Sequence, residues 1–192
     1  EEHLITNKRV AKPSDDPVAA ARISKLKSYL AKTEQYMKNI DEGKTYLSAM
    51  ETSVNGIKDS LVRTQELILD KLSGAENPED WQIAADELGN IIENVLQQAN
   101  SKHEGRYLFG GFASQSAQVD DDGNYLGRSG DELEIEIGEG EYMCINICGD
   151  DLMATPDGIN IIQMLEDIRD HTAAGDSDWL REHLSDLQSA LD

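Results

Sequence analysis

The feature that most constrains this chain is a stretch of about 55 residues, from Val18 to Leu72, that contains no proline. Apolar side chains recur in it every seven residues, and only the second of the positions Leu26, Thr33, Ile40, Leu47, Val54, Leu61 and Ile68 is polar. Such a repeat is typical of an amphipathic helix that packs against other helices. The helix would be roughly 80 Å long. A rod of this length predicts a structural element.

Two proline-containing segments mark where helices begin. In Pro13-Ser14-Asp15-Asp16-Pro17, the residue before Pro17 is pushed out of the α region, as an N-cap requires. Asp16 is therefore predicted to cap a first helix over residues 17–72, with Pro17 in its first position. The same device recurs at Asn77-Pro78, after the breaker Ser73-Gly74, and predicts a second helix over 78–103. Two long helices joined by a short turn should pack antiparallel.

After Gly105 the pattern changes from helical to strand-like. Leu133–Ile137 alternates strictly, as does the run near Met143, Ile145 and Ile147, and Gly138-Glu139-Gly140 between them predicts a hairpin turn. Helical spacing returns over 158–173 and 177–192, with Gly175 between the two segments. The predicted fold is mainly α with a β insert: an elongated antiparallel helical bundle over 1–111 and 154–192, with a small antiparallel β domain over 112–153.

Charge and composition exclude several classes of function. The net charge is −21, with 18 acidic and 13 basic residues in 1–104 and 20 acidic and 4 basic in 105–192. So acidic a surface argues against binding nucleic acid or an anionic membrane. No apolar run approaches the roughly 20 residues that span a bilayer. The acidic half is interpreted as a solvated outer face. Cys144 and Cys148, too far apart along a strand for a disulfide, are interpreted as small packing residues.

Signatures of catalysis, cofactors and metals are missing from the sequence. There is no Walker loop, nucleophile elbow or paired zinc-ligand pattern. The acidic run that begins at Asp120 lacks the glycine that an EF-hand needs at its sixth position, where Tyr125 stands, so a solvated turn is predicted. Four scattered histidines form no ligand set. We therefore expect no enzyme activity, no cofactor and no metal.

Two segments carry a resemblance to a known family. Asn7–Ala21, which reads NKRVAKPSDDPVAAA, is similar to the "GKRI-x-x-PSDDP-x-AAA" signature of the flagellin superfamily in its hook-associated branch. Asn100 and the run from Gly105 to Gly111 resemble the "AN-x-x-x-x-G-x-YLF-G-G" ending of that family's second helix. The resemblance assigns structural or assembly roles to Lys8, Arg9, Pro13, Ser14, Asp15, Asp16, Pro17, Asn100, Gly105, Tyr107, Leu108, Phe109, Gly110 and Gly111.

This resemblance implies a structural protein of the bacterial flagellum, at the junction between hook and filament. It implies export through the flagellar secretion apparatus to the cell exterior. Its expected partners are the other hook-associated junction protein, flagellin, neighbouring copies and an export chaperone, with no nucleic acid or membrane. The family's terminal helices are absent, so the chain is expected to be a fragment. A filament flagellin is the nearest alternative, although flagellins usually carry "DDAAG" and "T-x-FNG" at the corresponding positions. A helical sensor or adaptor domain is the second alternative.

Overall fold

The computed structural model describes residues 17–74, 77–128, 130–147, 149–155 and 158–191. In chain order its elements are helix α1 (Pro17–Ser73), helix α2 (Pro78–Ala99), strands β1 (Lys102–His103) and β2 (Arg106–Tyr107), a 3-10 turn (Gly111–Ala113), strands β3 (Glu134–Gly138) and β4 (Glu141–Cys144), and helices α3 (Gly149–Met153), α4 (Ile161–Ala173), α5 (Ser177–Glu182) and α6 (Leu184–Leu191). The strands form two antiparallel hairpins, β1–β2 and β3–β4. The predicted mainly helical fold with a small β portion is confirmed.

The described residues form two compact units. One consists of 1–43, of which the structure describes 17–43, with 135–143, and the other of 44–134 with 144–192. In the larger unit, α1 and α2 run antiparallel, as the short connection predicts. The Ser53 and Ser101 hydroxyls are 2.7 Å apart, and the Arg63 guanidinium pairs with Glu87 at 2.7 Å. A contact farther along α1 therefore involves a residue nearer the start of α2, as expected for antiparallel helices.

Helix α2 begins where its capping sequence predicts. The Asn77 side chain accepts a hydrogen bond from the Glu79 backbone N–H at 3.2 Å, and Pro78 occupies the first turn. The helix buries a face of regular helical spacing, formed by Trp81, Ala84, Ala85, Leu88, Ile91, Ile92, Val95 and Ala99. Helix α4 packs closely against α2, and Ile57, Leu61 and Ile68 of α1 join the same core.

The first part of α1 differs from the rest because its apolar stripe is open. Leu26 and Met37 are each 61% exposed, whereas Leu61 and Ile68, which belong to the same heptad series as Leu26, are 2% and 3% exposed. In the smaller unit, α1 meets the β3–β4 hairpin through polar atoms: the Asn39 amide donates to the Glu136 carbonyl at 2.8 Å. The heptad pattern therefore marks a stripe along the whole helix, but the described residues cover only its second part.

Three predicted helix boundaries are wrong. Helix α2 ends at Ala99, not at 103, because Asn100 turns its side chain to the backbone of 118–119. Helix α4 begins at Ile161 because the Asn160 side chain caps it, accepting from Ile162 N–H at 2.9 Å. The predicted helix over 177–192 is two helices, α5 and α6, which part at His183, whose ring lies 3.0 Å from the Trp179 carbonyl.

The β insert predicted over 112–153 is less regular than a β domain. The β3–β4 hairpin forms, with Glu139 and Gly140 between its strands and a φ of +75° at Gly140. The remainder holds the 3-10 turn, an isolated bridge between Val119 and Tyr125, and helix α3. Val119 and Met153 enter the helical core, so this range does not build a separate core. Cys144 is exposed, which contradicts its interpretation as a packing residue, and Cys148 lies outside the described residues.

Candidate functional site

The structure describes the second family-like segment in full and the first only from Pro17 onward. Lys8, Arg9, Pro13, Ser14, Asp15 and Asp16 lie outside the described residues, as does the predicted Asp16 cap. Pro17 is the first residue of α1. Asn100 and residues 105–111 are all described, and the structure brings them together as one turn of the chain. We call residues 100–111 the corner segment.

Asn100 holds the end of α2 against an incoming loop. Its amide nitrogen donates to the Val119 carbonyl at 2.8 Å, and its amide oxygen accepts from the N–H groups of Gln118 and Val119 at 2.9 and 3.1 Å. Gln118 and Val119 are buried, with 1% and 3% exposed. An unpaired buried backbone group costs about 1–3 kcal/mol, so this one side chain satisfies three groups that would otherwise be costly.

A tight hairpin follows immediately. Strands β1 and β2 pair Lys102 with Tyr107, and the two residues between the strands, Glu104 and Gly105, have φ of +50° and +81°. Two successive positive φ angles are the backbone of a type I′ hairpin turn, which favours glycine. The Lys102 ammonium lies 4.3 Å from the centre of the Tyr107 ring, within cation–π range. The motif glycine is thus required by the turn.

The apolar residues of the corner segment insert against α1. Leu108 and Phe109 are 2% and 0% exposed and form a small cluster with Met50 of α1. Their carbonyls are also held: the Tyr46 hydroxyl donates to the Leu108 carbonyl at 2.7 Å, and the Tyr125 hydroxyl donates to the Phe109 carbonyl at 3.1 Å. Burial raises the pKa of the Tyr46 hydroxyl above its ordinary value of 10.0.

The two glycines that end the corner segment leave no room for a side chain. A Cβ at Gly110 would lie 2.9 Å from the Ser114 Cα and from the Gln118 side chain. Gly111 has a φ of +51°, and a Cβ there would lie 2.6 Å from the Asp131 Cβ. These close approaches explain why two successive glycines are needed where the chain enters the 3-10 turn.

The acidic turn at 120–124 is closed by its own chain. One Asp120 carboxylate oxygen accepts from the Asn124 and Asp122 backbone N–H groups at 2.8 and 3.1 Å, and the other from the Asn124 amide at 3.1 Å. These bonds, above all the one from the Asn124 N–H, lower the pKa of Asp120. Among the described residues, no group of three or more His, Cys, Asp and Glu side chains could hold a metal ion. The predicted solvated turn agrees with this geometry.

Three residues outside the family-like segments complete the corner: Tyr46, Gln118 and Tyr125. Sequence reasoning missed them because Tyr46 and Tyr125 each donate a hydroxyl to a distant backbone carbonyl, and the Gln118 side chain lies against Gly110. Tyr46 offered one signal, since it lies beside Leu47 of the heptad stripe and is an aromatic residue with a polar tip.

The corner segment is a structural connection between α2 and α1. Helices α1 and α2 are tied together at the corner segment by buried apolar side chains and by hydrogen bonds to backbone groups. Each tie involves positions whose backbone geometry is narrowly determined. None of the described helices is long and apolar enough to cross a membrane. The fold and its corner segment define a helical-bundle structural protein of the flagellin-like class.

Comparison with known families agrees with this class. Residues 1–114 match the family described as the bacterial flagellin N-terminal helical region, and the chain belongs to that family. It is 26% identical over 179 residues to flagellar hook-associated protein 3 of Escherichia coli K12, covering 86% of this chain and 56% of that protein. The chain therefore spans little more than half the length of this relative.

Solved structures show the same fold. The FlgL structure from Bacillus cereus is 25% identical with a TM-score of 0.76, over 90% of this chain and 84% of that one. The flagellar junction protein FlgL from Legionella pneumophila is 24% identical with a TM-score of 0.60, over 73% of this chain and 43% of that one. The resemblance inferred from the two motifs is confirmed, and the hook-associated interpretation is favoured over flagellin.

Proposed function

We propose that this chain works as the structural adaptor of the hook–filament junction in a bacterial flagellum. The observation that carries the proposal is the similarity to hook-associated protein 3 across 86% of the chain. The motif residues Asn100, Gly105 and Leu108–Gly111 support it, because each fills a specific structural task in the corner segment. The relatives are flagellar structural proteins, which favours a mechanical role over an enzymatic one.

The contacts of the corner segment are suited to a subunit that must transmit force. Twisting α1 against α2 would require the buried Leu108–Phe109–Met50 cluster to separate and the hydrogen bond from Tyr46 to the Leu108 carbonyl to break. Close-packed interiors resist such deformation and transmit strain. A subunit with this connection can carry torque from a hook to a filament while the corner segment stays packed against α1.

The partners and the location follow from the proposed role. The subunit would contact the other hook-associated junction protein on one side, flagellin on the other, and neighbouring copies around the ring. It would be exported through the flagellar secretion apparatus, with or without a chaperone, and would act outside the cell. Exposed apolar side chains on α1 are available for such contacts. They are the heptad-related residues Ile23, Leu26, Leu30 and Met37, and exposed apolar patches of this kind are typical of protein–protein contact surfaces.

Deletion of the gene in its native host tests the proposal. We expect bare hooks by electron microscopy, with flagellin shed into the medium, because filament subunits would be exported without a junction on which to assemble. A plasmid-borne copy should restore filaments. Bare hooks with no flagellin in cells or medium would instead identify the filament subunit. Normal filaments and normal swimming, in a strain with no second copy of the gene, would contradict any junction role.

A further inference from the structure

The first turns of α1 carry a charge opposite to that of the chain as a whole. The net charge is −21, yet residues 17–33 contain four basic residues and no acidic one: Arg22, Lys25, Lys27 and Lys32. Copies of so acidic a chain repel one another at short range, and the repulsion weakens over a Debye length of about 8 Å at physiological salt. A contact between copies is favoured where one of them presents positive charge.

Three of these basic residues share one face with an aromatic ring. Arg22, Lys25, Tyr29 and Lys32 follow one another at intervals of three, four and three residues, which places them in a single stripe. Together with Leu26 they line an open cleft of about 620 Å³, and Glu139 at the tip of the β3–β4 hairpin lines it from the hairpin. We call these residues the basic cleft. Tyr29 and Leu26 are 67% and 61% exposed, so the cleft combines positive charge with apolar surface.

The positive charge of the basic cleft is poorly neutralised within the chain. Over the described ranges, no carboxylate forms an ion pair with Arg22 or Lys25. Lys32 lies 3.8 Å from Glu139, but the two side chains are 57% and 79% exposed. Exposed pairs of this kind contribute little stability. The cleft is therefore available to an acidic partner.

We propose that the basic cleft binds the acidic surface of a second copy of this chain. The inference rests on the proposed function, in which neighbouring copies form a ring. Residues 105–192 supply the complementary surface, since they hold 20 acidic and only 4 basic residues.

The proposed contact is of the head-to-tail kind. A basic surface on one copy meets a different, acidic surface on the next, and such an interface forms a ring when the rotation between successive copies closes. Electrostatic complementarity sets the register and orientation of such an interface more than its strength. The basic cleft therefore directs how copies are placed side by side, while other surfaces supply the remaining affinity.

The test is photocross-linking in flagella assembled by the native host. Tyr29 is replaced by a photoreactive benzoylphenylalanine in the chromosomal gene, isolated hook–filament structures are irradiated, and the products are identified by mass spectrometry. We expect a dimer in which position 29 of one copy is joined to residues 105–192 of another. The double variant Lys25→Glu/Lys32→Glu should reduce this product at least threefold. The control Lys27→Glu/Lys38→Glu, with the same charge change on the opposite face of the helix, should leave it within a factor of two.

Cross-links to flagellin, to the other junction protein or only within one chain would overturn the proposal. So would equal dimer yields from the two double variants. Circular dichroism of the purified chains shows that each variant keeps its helix content, and Lys25→Gln/Lys32→Gln replaces the first variant if it does not. The deletion phenotype keeps a failure of this proposal distinct from a failure of the proposed function. If the deletion strain sheds flagellin but Lys25→Glu/Lys32→Glu does not lower the dimer yield, the junction role stands and only the basic cleft is rejected.

Discussion

The two parts of α1 have the same sequence pattern and different surroundings. In the second part, Leu61 and Ile68 are buried in the core shared with α2 and α4, and Leu61 is 2% exposed. In the first part, Leu26 and Thr33 are exposed, and Leu26 is 61% exposed. A heptad repeat therefore specifies which side of a helix is apolar, but it does not specify which part of the chain packs against that side. Substitutions in the second part of the helix and in the corner segment should therefore change the free energy of unfolding most.

The largest difference between the two parts of α1 is expected for a matched pair of leucine-to-alanine substitutions. Leu61→Ala should lower the free energy of unfolding by about 2–5 kcal/mol, because it opens a cavity in the main core. Leu26→Ala, the same change five heptads earlier, should alter it by less than about 0.5 kcal/mol. Urea unfolding of the purified chain, followed by circular dichroism, measures both. Equal effects would mean that the exposed stripe is packed in solution.

A second pair compares two asparagines that tie a helix to a neighbouring segment. Asn100→Ala should cost about 1–3 kcal/mol, since it removes three hydrogen bonds, to the N–H groups of Gln118 and Val119 and to the Val119 carbonyl. Asn39→Ala removes a half-buried bond to the Glu136 carbonyl and an exposed bond from the Gln35 amide, and should cost about 0.5–1.5 kcal/mol. Denaturant midpoints with unchanged m-values check the order, and a larger loss for Asn39 would reverse our assignment.

The acidic turn in the larger unit offers a smaller, pH-dependent effect. The pKa of Asp120 is lowered by hydrogen bonds to its ionised form, so the stabilisation is present above the ordinary value of 3.8 and is lost as pH falls through the lowered pKa. Asp120→Asn should therefore lower the thermal midpoint at pH 7, and the gap from the unmodified chain should narrow below pH 3.8. Asp121→Asn is the control, and a gap that stays constant with pH would contradict this account.

The smallest effects are expected for exposed ion pairs in the two parts of α1. Arg63→Ala breaks contacts to Glu87 and Glu66 at 2.7 and 3.5 Å, and Lys32→Ala breaks one to Glu139 at 3.8 Å. Exposed pairs contribute about 0–1 kcal/mol, so Arg63→Ala should cost somewhat more than Lys32→Ala. Both costs should shrink in 1 M NaCl. A loss above about 1.5 kcal/mol for Lys32 would show that the hairpin stabilises α1 electrostatically.

Local signals predicted much of this fold because the physics behind them is local. Asn77-Pro78 capped α2, the alternation around Gly138–Gly140 formed a hairpin, and helical spacing identified the buried face of α2. One error at a helix boundary came from a long-range polar contact. Asn100 ends α2 early because its amide meets residues 118–119, which no helical pattern near position 100 reveals.

The structure describes only part of the candidate site, and the assembly roles that the resemblance assigns to its residues stay predictions. The family-like residues Gly105 and Leu108–Gly111 could be named from their motif, and the structure supplies a reason for each. Tyr46 and Tyr125 could not, because their hydroxyls act on carbonyls 62 and 16 residues away in sequence. A hydroxyl that reaches across the fold leaves no periodic trace in the sequence.

Immunogold electron microscopy with an antibody raised against this chain tests the central claim most directly. On intact flagella of the native host, we expect gold particles in a single narrow band where the hook meets the filament. Flagella from the deletion strain carrying the restoring plasmid should show the same band, and the bare hooks of the uncomplemented strain should show none. Labelling along the whole filament, or no labelling of flagella that a flagellin antibody does label, would contradict the junction role.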